Sequence, residues 1–432
     1  MQNHPLLAFY GDDFTGSTDA LEALALSGIP TVLFIEPPTS EDLARFGSSR
    51  AIGIAGDSRS RSPQWMSENL PCIFRRLKEM GAELCQYKVC STFDSSPQIG
   101  SIGRALEIGA EVFGSEFVPV FPAAPRLKRY VVFGHLFASA DGRVFRIDRH
   151  PSMSVHPVTP MKESDLQIHL GLQTRKKIEL FDILMLESGE ANLYLQKLLK
   201  EEVDIILFDG IREDSVERSV NLIWGMRHRA PFVVGSSGFT YGLGNYLRSR
   251  HGLEFGGINW DVRSVERLIV LAGSCSPVTE RQIRWALSHD FFGIRITPCG
   301  NFRDVIAVSL KELRSGKSVV LYSALGPSDC GGENFGASFA AEMGILLREL
   351  LLQSGVKRVV IAGGDTASHA VRQLGITALT FRAPLEPGAP ICEVHAQDAK
   401  LQGLELILKG GQIGKEDFFV SALLGRNHAE RS

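Results

Sequence analysis

Apolar and polar positions fall in blocks along the chain. LLAFY, TVLFI, AIGIAG, YVVFG, VDIILFDG and PFVVG are short, continuous apolar runs of strand length, and segments with helical spacing separate many of them. This pattern predicts an α/β fold with mainly parallel sheets. Around Arg248 to Arg263 the text becomes RSRHGLEFGGINWDVR, polar, glycine-rich and without a clear period, and reads as a linker. The pattern then restarts. ERLIVLAGSCSPVTERQIRWAL, KRVVIAGGDTASHAVRQLG and LELILKGGQIGKEDFFVSALL each read as strand, small-residue loop and helix, while FFGIRITP and KSVVLYSALG add strands. At 432 residues the chain exceeds one ordinary domain, so two are expected, over residues 1–250 and 264–432.

The loops that follow these strands hold the candidate chemistry. In GDDFTGSTDA, Asp12 and Asp13 stand side by side at a strand's carboxyl end, where open α/β sheets bind ligands. Adjacent carboxylates repel unless a ligand or a base uses them. Asp13 or Asp19 alternatively only caps the helix that follows. AGDSRSRS brings Asp57 and Arg59, and CQYKVCSTFDSS brings Lys88, Ser91, Thr92 and Asp94. Arg126, His135 and the proline-punctuated RHPSMSVHPVTPM, with His156 and Thr159, complete the set. Arg59 and Lys88 suit a carboxylate, and Asp12 and Asp13 suit sugar hydroxyls or a proton. Arg59 and Arg61 equally suit a solvated loop face, and His135 a satisfied core position.

In the carboxyl half, AGSCSP (272–277), AGGDTAS (362–368) and KGGQIGKEDF (409–418) are three small-residue loops at strand ends. Ser276 is placed to cap a helix that opens on Pro277. Helix amino termini and glycine-rich turns offer backbone N–H groups and close approach to an anion, so three such loops suit one nucleotide. Ordinary connection chemistry is the alternative. Neither GxxxxGK[ST] nor GxGxxG occurs, which weakens a P-loop and a dinucleotide-dependent dehydrogenase alike.

Net charge is −3, from 46 basic and 49 acidic residues, so neither nucleic acid nor an anionic membrane is an expected partner. The seven cysteines are scattered and form no CxxC pair, which argues against a disulfide framework or a structural zinc site. MQNHPLLAFYGDD is not a signal peptide, and no apolar run reaches about 18 residues. A reduced, cytoplasmic protein is expected.

Taken in order, GDDFTGSTDA, VPVFPAAPR, GHLF, HPVTPMKESDL, AGSCSPVTERQI, AGGDTASHAVRQLG and LKGGQIGKEDFF resemble the four-carbon acid sugar kinase family over nearly the whole chain. The resemblance implies two α/β domains with an interdomain active-site cleft. It implies phosphorylation of a terminal hydroxyl of threonate, erythronate or 3-oxo-tetronate by ATP with Mg²⁺. It places nucleotide near Ser274, Ser276, Gly363, Gly364, Asp365, Thr366, Gly410 and Gly411, with Asp365 a metal contact through water. It places the acid sugar near Asp12, Asp13, Arg59, Lys88 and Ser91, with Asp12 or Asp13 handling the hydroxyl proton. The small acid and ATP are the implied partners, and a homodimer is left open. One departure matters. Where the family shows an Asp-Ser-Thr triplet and then an arginine, this chain has Cys90, Ser91, Thr92, Phe93 and Asp94. Altered specificity is the expectation, with the branched 3-oxo-isoapionate as a candidate. A sugar-acid sensor without catalysis and a nicotinamide-dependent dehydrogenase are the rival readings.

Overall fold

The computed structural model describes residues 4–140, 142–156, 158–251, 260, 262–298, 300–329 and 336–426. The chain divides into two compact units, the first comprising Met1–Asp12, Ala23–Thr31 and Pro37–Gly256, the second Asp13–Glu22, Val32–Glu36 and Gly257–Ser432. The second unit thus takes two short pieces from the start of the chain.

The first unit is built on parallel strands in the order Ala51–Ala55, Leu7–Gly11, Leu84–Lys88, Phe232–Gly235, Val118–Phe121, Ile205–Phe208 and Ile178–Phe181. The run from Leu7 to Gly11 is buried throughout, as are those at Ala51–Ala55 and Leu84–Lys88. A parallel sheet covered on both faces needs such unbroken apolar text. Stacked Tyr10 and Tyr87 rings, 6.0 Å apart, receive the edge of Phe74 from the helix Pro63–Glu79. The connection after Leu7–Gly11 leads to one side of the sheet and that after Leu84–Lys88 to the other. A switch point therefore lies between these two neighbours, the place where such sheets bind ligands. YVVFG, which reads as one of the runs of a mainly parallel sheet, instead supplies the strand Arg129–Val132 of a small antiparallel sheet with His135–Ala140 and Arg143–Arg146. Its first turn hangs on Asp209, whose carboxylate accepts the N–H groups of Phe133 (2.6 Å) and Gly134 (2.9 Å). Burial pushes the Asp209 carboxyl up to about 6 despite those hydrogen bonds.

The second unit has parallel strands in the order Phe291–Arg295, Ser318–Tyr322, Leu268–Ala272, Arg358–Ala362 and Glu405–Lys409. An antiparallel hairpin, Ile376–Glu386 with Ala389–Ala396, extends this sheet, and the hairpin's outer strand pairs antiparallel with Val32–Phe34. Gly388 in the hairpin turn donates its N–H to Glu22 of the helix Phe14–Leu26 (2.8 Å). TVLFI, which reads as one more strand of the amino-terminal half, therefore completes the sheet of the other unit.

The expected linker needs correction at its start: Arg248 to His251 are the end of the helix Ser237–His251. Residues 252–259 and 261 of that stretch lie outside the described residues. The expectation of reduced thiols holds for Cys72, Cys85, Cys90 and Cys392, but Cys275 is disulfide-bonded. Among the described residues no helix is long and apolar enough to cross a membrane.

Arg358 ties the second unit together. It is buried, pairs with Glu405 on the neighbouring strand, and donates to the carbonyls of Ala422 and Arg263. Removing one partner of a buried pair leaves the other charge uncompensated. Arg358→Ala is expected to cost about 3 kcal/mol or more, read as a lower urea midpoint.

Candidate functional site

Two groups of residues gather at strand ends, one in each unit. In the second unit the direct register of three parallel strands does the gathering. Ala272 stands beside Ala362, and Ala362 beside Lys409, so the three small-residue loops leave the sheet side by side. The N–H of Gly273 donates to the Ala362 carbonyl (3.1 Å) and that of Gly363 to the Lys409 carbonyl (2.8 Å). Ser276 caps the helix Pro277–Leu287 by accepting the Val278 N–H (3.1 Å), and Ser274 Oγ accepts the Ser276 N–H (3.2 Å). Gly363, with φ 121°, opens the helix Gly364–Gln373 in a conformation that only glycine adopts readily. A Cβ on Gly411 would stand 2.5 Å from Ser274 Oγ, so the third loop lies directly against the first. Ser274, Ser276, Gly364, Gly410 and Gly411 remain partly exposed, Thr366 is buried, and Asp365 is exposed in the first helical turn.

Lys409 is the residue of this group that the sequence reading left without a role. Its ammonium is buried, donates to the Gly410 carbonyl (2.9 Å) and to Thr279 Oγ1 (3.3 Å), and lies 5.7 Å from the centre of the Phe418 ring. Thr279 in turn donates to the Gly411 carbonyl (3.0 Å), so the lysine side chain braces the third loop. Burial alone brings the lysine down to about 7. A lysine closing an otherwise apolar strand, just before two glycines, was the available signal.

Asp13 belongs to this unit as well. Its Oδ1 accepts the Gly16 N–H (2.8 Å), its Oδ2 accepts the Thr15 hydroxyl (2.7 Å), and its carbonyl accepts the Ser17 N–H. Asp13 therefore caps the helix Phe14–Leu26, the plainer of its two readings. The same carboxylate faces the second loop: a Cβ on Gly364 would lie 3.6 Å from Oδ2.

The first unit gathers the other group at its switch point. Asp12 follows the strand Leu7–Gly11 and donates its N–H to the Lys88 carbonyl (2.9 Å). Its carboxylate takes a two-pronged pair from Arg59, Nε to Oδ2 at 3.0 Å and Nη2 to Oδ1 at 2.7 Å. Asp12 is buried, and the Arg59 side chain retains 22% exposure. The notion of two carboxylates left to repel each other is therefore corrected: Asp12 meets a guanidinium and Asp13 a helix terminus. Arg61 pairs with Asp57 and lies over the Trp65 ring at 5.1 Å. Lys88 and Ser91 are buried.

The departing stretch after Lys88 has its own network. Phe93 adopts φ 56°, and Thr92 donates to Asp94 Oδ1 (2.5 Å). Asp94 Oδ2 accepts from Thr159 (3.4 Å), which bonds His156 Nδ1 through its own N–H (3.1 Å). The proline-punctuated loop is thus brought onto the CSTFDSS stretch. Burial pushes the Cys90 thiol up, with Arg59 opposing and Asp94 reinforcing that shift. His135 lies apart, hydrogen-bonded to Ser164 (3.0 Å), and Arg126 lies 4.7 Å over the Tyr241 ring.

These arrangements, small-residue loops at level strand ends in one unit and a carboxylate–guanidinium pair among hydroxyl-bearing residues in the other, belong to an α/β protein of two units. Comparison with known proteins narrows the class. Residues 7–243 match the family model for a sugar-binding N-terminal domain, and residues 269–419 match that for a nucleotide-binding C-terminal domain. The chain belongs to the four-carbon acid sugar kinase family. A 3-oxo-isoapionate kinase of Paraburkholderia graminis is 41% identical over 98% of this chain and 94% of its own length. A 3-oxo-tetronate kinase of Pseudomonas savastanoi pv. phaseolicola is 31% identical over 97% of each chain. The crystal structure of a Salmonella typhimurium LT2 protein superposes with a TM-score of 0.78 at 25% identity, covering 96% of this chain and 98% of that one.

The Lys409 environment has a consequence for pH dependence. Between about 7 and its ordinary 10.5, the unfolded chain holds a proton that the folded chain has released, so stability rises with pH across that window. Lys409→Met is expected to remove up to about 1.4 kcal/mol per pH unit of that rise. Urea titrations of both proteins at pH 7 and pH 9.5 measure the difference.

Proposed function

We propose that this protein transfers the γ-phosphoryl group of ATP to a hydroxyl of a small acid sugar, with 3-oxo-isoapionate as the first acceptor to test. The observation that carries this reading is the side-by-side placement of the three small-residue loops by strands in direct register. Loops of this kind present N–H groups to phosphate oxygens, and the helix openings at Pro277 and Gly364 add favourable dipoles. Support for the acceptor class comes from the 41% identity to a 3-oxo-isoapionate kinase and from the charged, hydroxyl-bearing cluster at the switch point.

The proposed roles follow the geometry. Residues 264–432 hold ATP through Ser274, Ser276, Gly363, Gly364, Thr366, Gly410 and Gly411, and residues 1–250 hold the acid through Arg59, Lys88 and Ser91. Asp12, committed to Arg59 by two hydrogen bonds, orients that guanidinium. Asp13, beside Gly364, orients the attacking hydroxyl and accepts its proton. The hydroxyl oxygen bonds to the γ-phosphorus, the bond to the bridging oxygen of ADP breaks, and the proton passes to the Asp13 carboxylate. Positioning and charge neutralisation supply most of the rate in such transfers.

Among the described residues no three His, Cys, Asp or Glu side chains group to form a metal cage. That fits Mg²⁺ carried by the triphosphate, since this ion keeps several waters and needs one or two protein carboxylates. We assign the contact with it, through water, to Asp365, which is exposed at the second loop. Mg²⁺ would neutralise charge on the phosphates.

Acid-dependent ADP formation is expected with 3-oxo-isoapionate, 3-oxo-tetronate or threonate, followed in a coupled assay. Its absence with every one of these acids overturns the reading. Asp13→Asn keeps the helix cap, because an amide oxygen still accepts the Gly16 N–H, but it removes the base. A fall in kcat of about 100-fold or more with little change in stability is expected. Gly411→Val is expected to raise KM for ATP at least about tenfold, because its side chain would intrude on Ser274.

A further inference from the structure

Phe93 is a large, fully buried side chain whose backbone lies in the left-handed region (φ 56°). A bulky residue keeps that conformation only where its surroundings impose it, and such strain gathers at ligand clamps. Here it closes a turn: the Phe93 N–H donates to the Cys90 carbonyl (3.0 Å), with Ser91 and Thr92 at the corners. The turn comes shortly after the strand Leu84–Lys88, at the switch point of the first unit's sheet. Ser91, assigned above to the acid, therefore sits between that strand end and the strained residue.

The groups that impose the conformation come from Ser95 and from the helix Leu166–Gly171. Ser95 Oγ donates to the Phe93 carbonyl (3.1 Å) and lies 2.8 Å from His169 Nε2. The His169 ring hydrogen-bonds the Phe93 backbone, and its centre is 6.2 Å from that of the Phe93 ring. Gln173 completes the set. Its Oε1 accepts the Gly103 N–H (3.2 Å), so its amide nitrogen faces Ser95 Oγ (2.8 Å) and His169 Nε2 (3.1 Å). Nε2 is therefore an acceptor, and the imidazole proton sits on Nδ1, the nitrogen left for the Phe93 carbonyl. Burial brings the ring down to about 4, with the charges of Asp94 and Glu163 opposing, which keeps it neutral at pH 7. Phe93, Ser95 and His169 are all buried, so this network reaches a ligand only through the turn it holds.

We infer that His169 is a positioning residue for the acid substrate: through Ser95 and the Phe93 backbone it holds the turn from Cys90 to Phe93 in the shape from which Ser91 meets that ligand. The inference rests on the kinase reading above and deepens its acid site. A loosened turn samples unstrained shapes, and the apparent affinity for the acid falls with the fraction of molecules that stay competent. Once the acid is bound the turn is in place, so the chemical step is unchanged. ATP, assigned above to residues 264–432, is held without it.

The test uses the full chain with ATP and 3-oxo-isoapionate, 3-oxo-tetronate or threonate. Turnover, calorimetric binding of the acid and the melting temperature are measured separately. His169→Phe keeps a ring of similar size and removes both nitrogens. It is expected to raise KM and Kd for the acid about tenfold, with kcat and KM for ATP within about twofold of wild type. His169→Gln, whose Oε1 can accept where Nε2 does, should recover part of the loss. Ser95→Ala should raise the acid KM similarly, and the double variant His169→Phe with Ser95→Ala should be little worse than either single change. Should His169→Phe fail to fold, Ser95→Ala, which removes one hydroxyl, decides the matter by the same readout. A lower melting temperature with an acid KM within about twofold of wild type assigns the network to the fold alone and overturns the inference, leaving the kinase reading standing. Equal rises in KM for the acid and for ATP overturn it as well. A wild-type protein that neither binds nor phosphorylates any of the acids overturns the kinase reading, and this inference with it.

Discussion

The direct register of three parallel strands is the constraint on which the second unit's chemistry depends. With Ala272, Ala362 and Lys409 level, the loops that follow start from one line and each begins within a hydrogen bond of the next. A slip of one residue would turn every buried side chain to the opposite face and separate the loops. The register is held by continuous apolar packing and by the Arg358–Glu405 pair across two of the same strands. Lys409 then sits at the end of the last strand, beneath the loop it helps to shape. Packing, charge and loop geometry are consequences of one alignment.

In the first unit, charge is arranged by pairing. Asp12 and Arg59 are mutually satisfied in two hydrogen bonds, and so each limits the movement of the other. Arg61 is similarly committed to Asp57. Against this background a guanidinium with a buried, unbonded Nε stands out, and it comes from a strand outside the main sheet. That residue is Arg129, whose Nη1 donates to the Leu127 and Lys128 carbonyls.

Much of the fold was legible in the text because strands buried on both faces must be continuously apolar, and helices between them must show a 3.6-residue period. Ser276 with Pro277 announced a helix start from local chemistry alone, and the cap is present. Asp13 was legible only as a choice between capping and catalysis, since both require a carboxylate at the start of a helix. The hairpin Ile376–Glu386 with Ala389–Ala396 was less readable, because its strands are partly exposed and turn on an EPG sequence that also suits a loop. Arg129 carried no local mark at all: LKRY is unremarkable as text.

By itself, then, the sequence determined the alternation of strands and helices, the small-residue loops at strand ends, the helix caps and the family, all of which follow from short-range spacing and residue type. The tertiary structure alone decided which loops stand side by side, that Val32–Phe34 joins the later sheet, and that Asp12 belongs to Arg59. Those facts depend on contacts between residues tens to hundreds of positions apart. Strand order and the pairing of charges are set by burial and packing over the whole sheet, and no local window of sequence contains them.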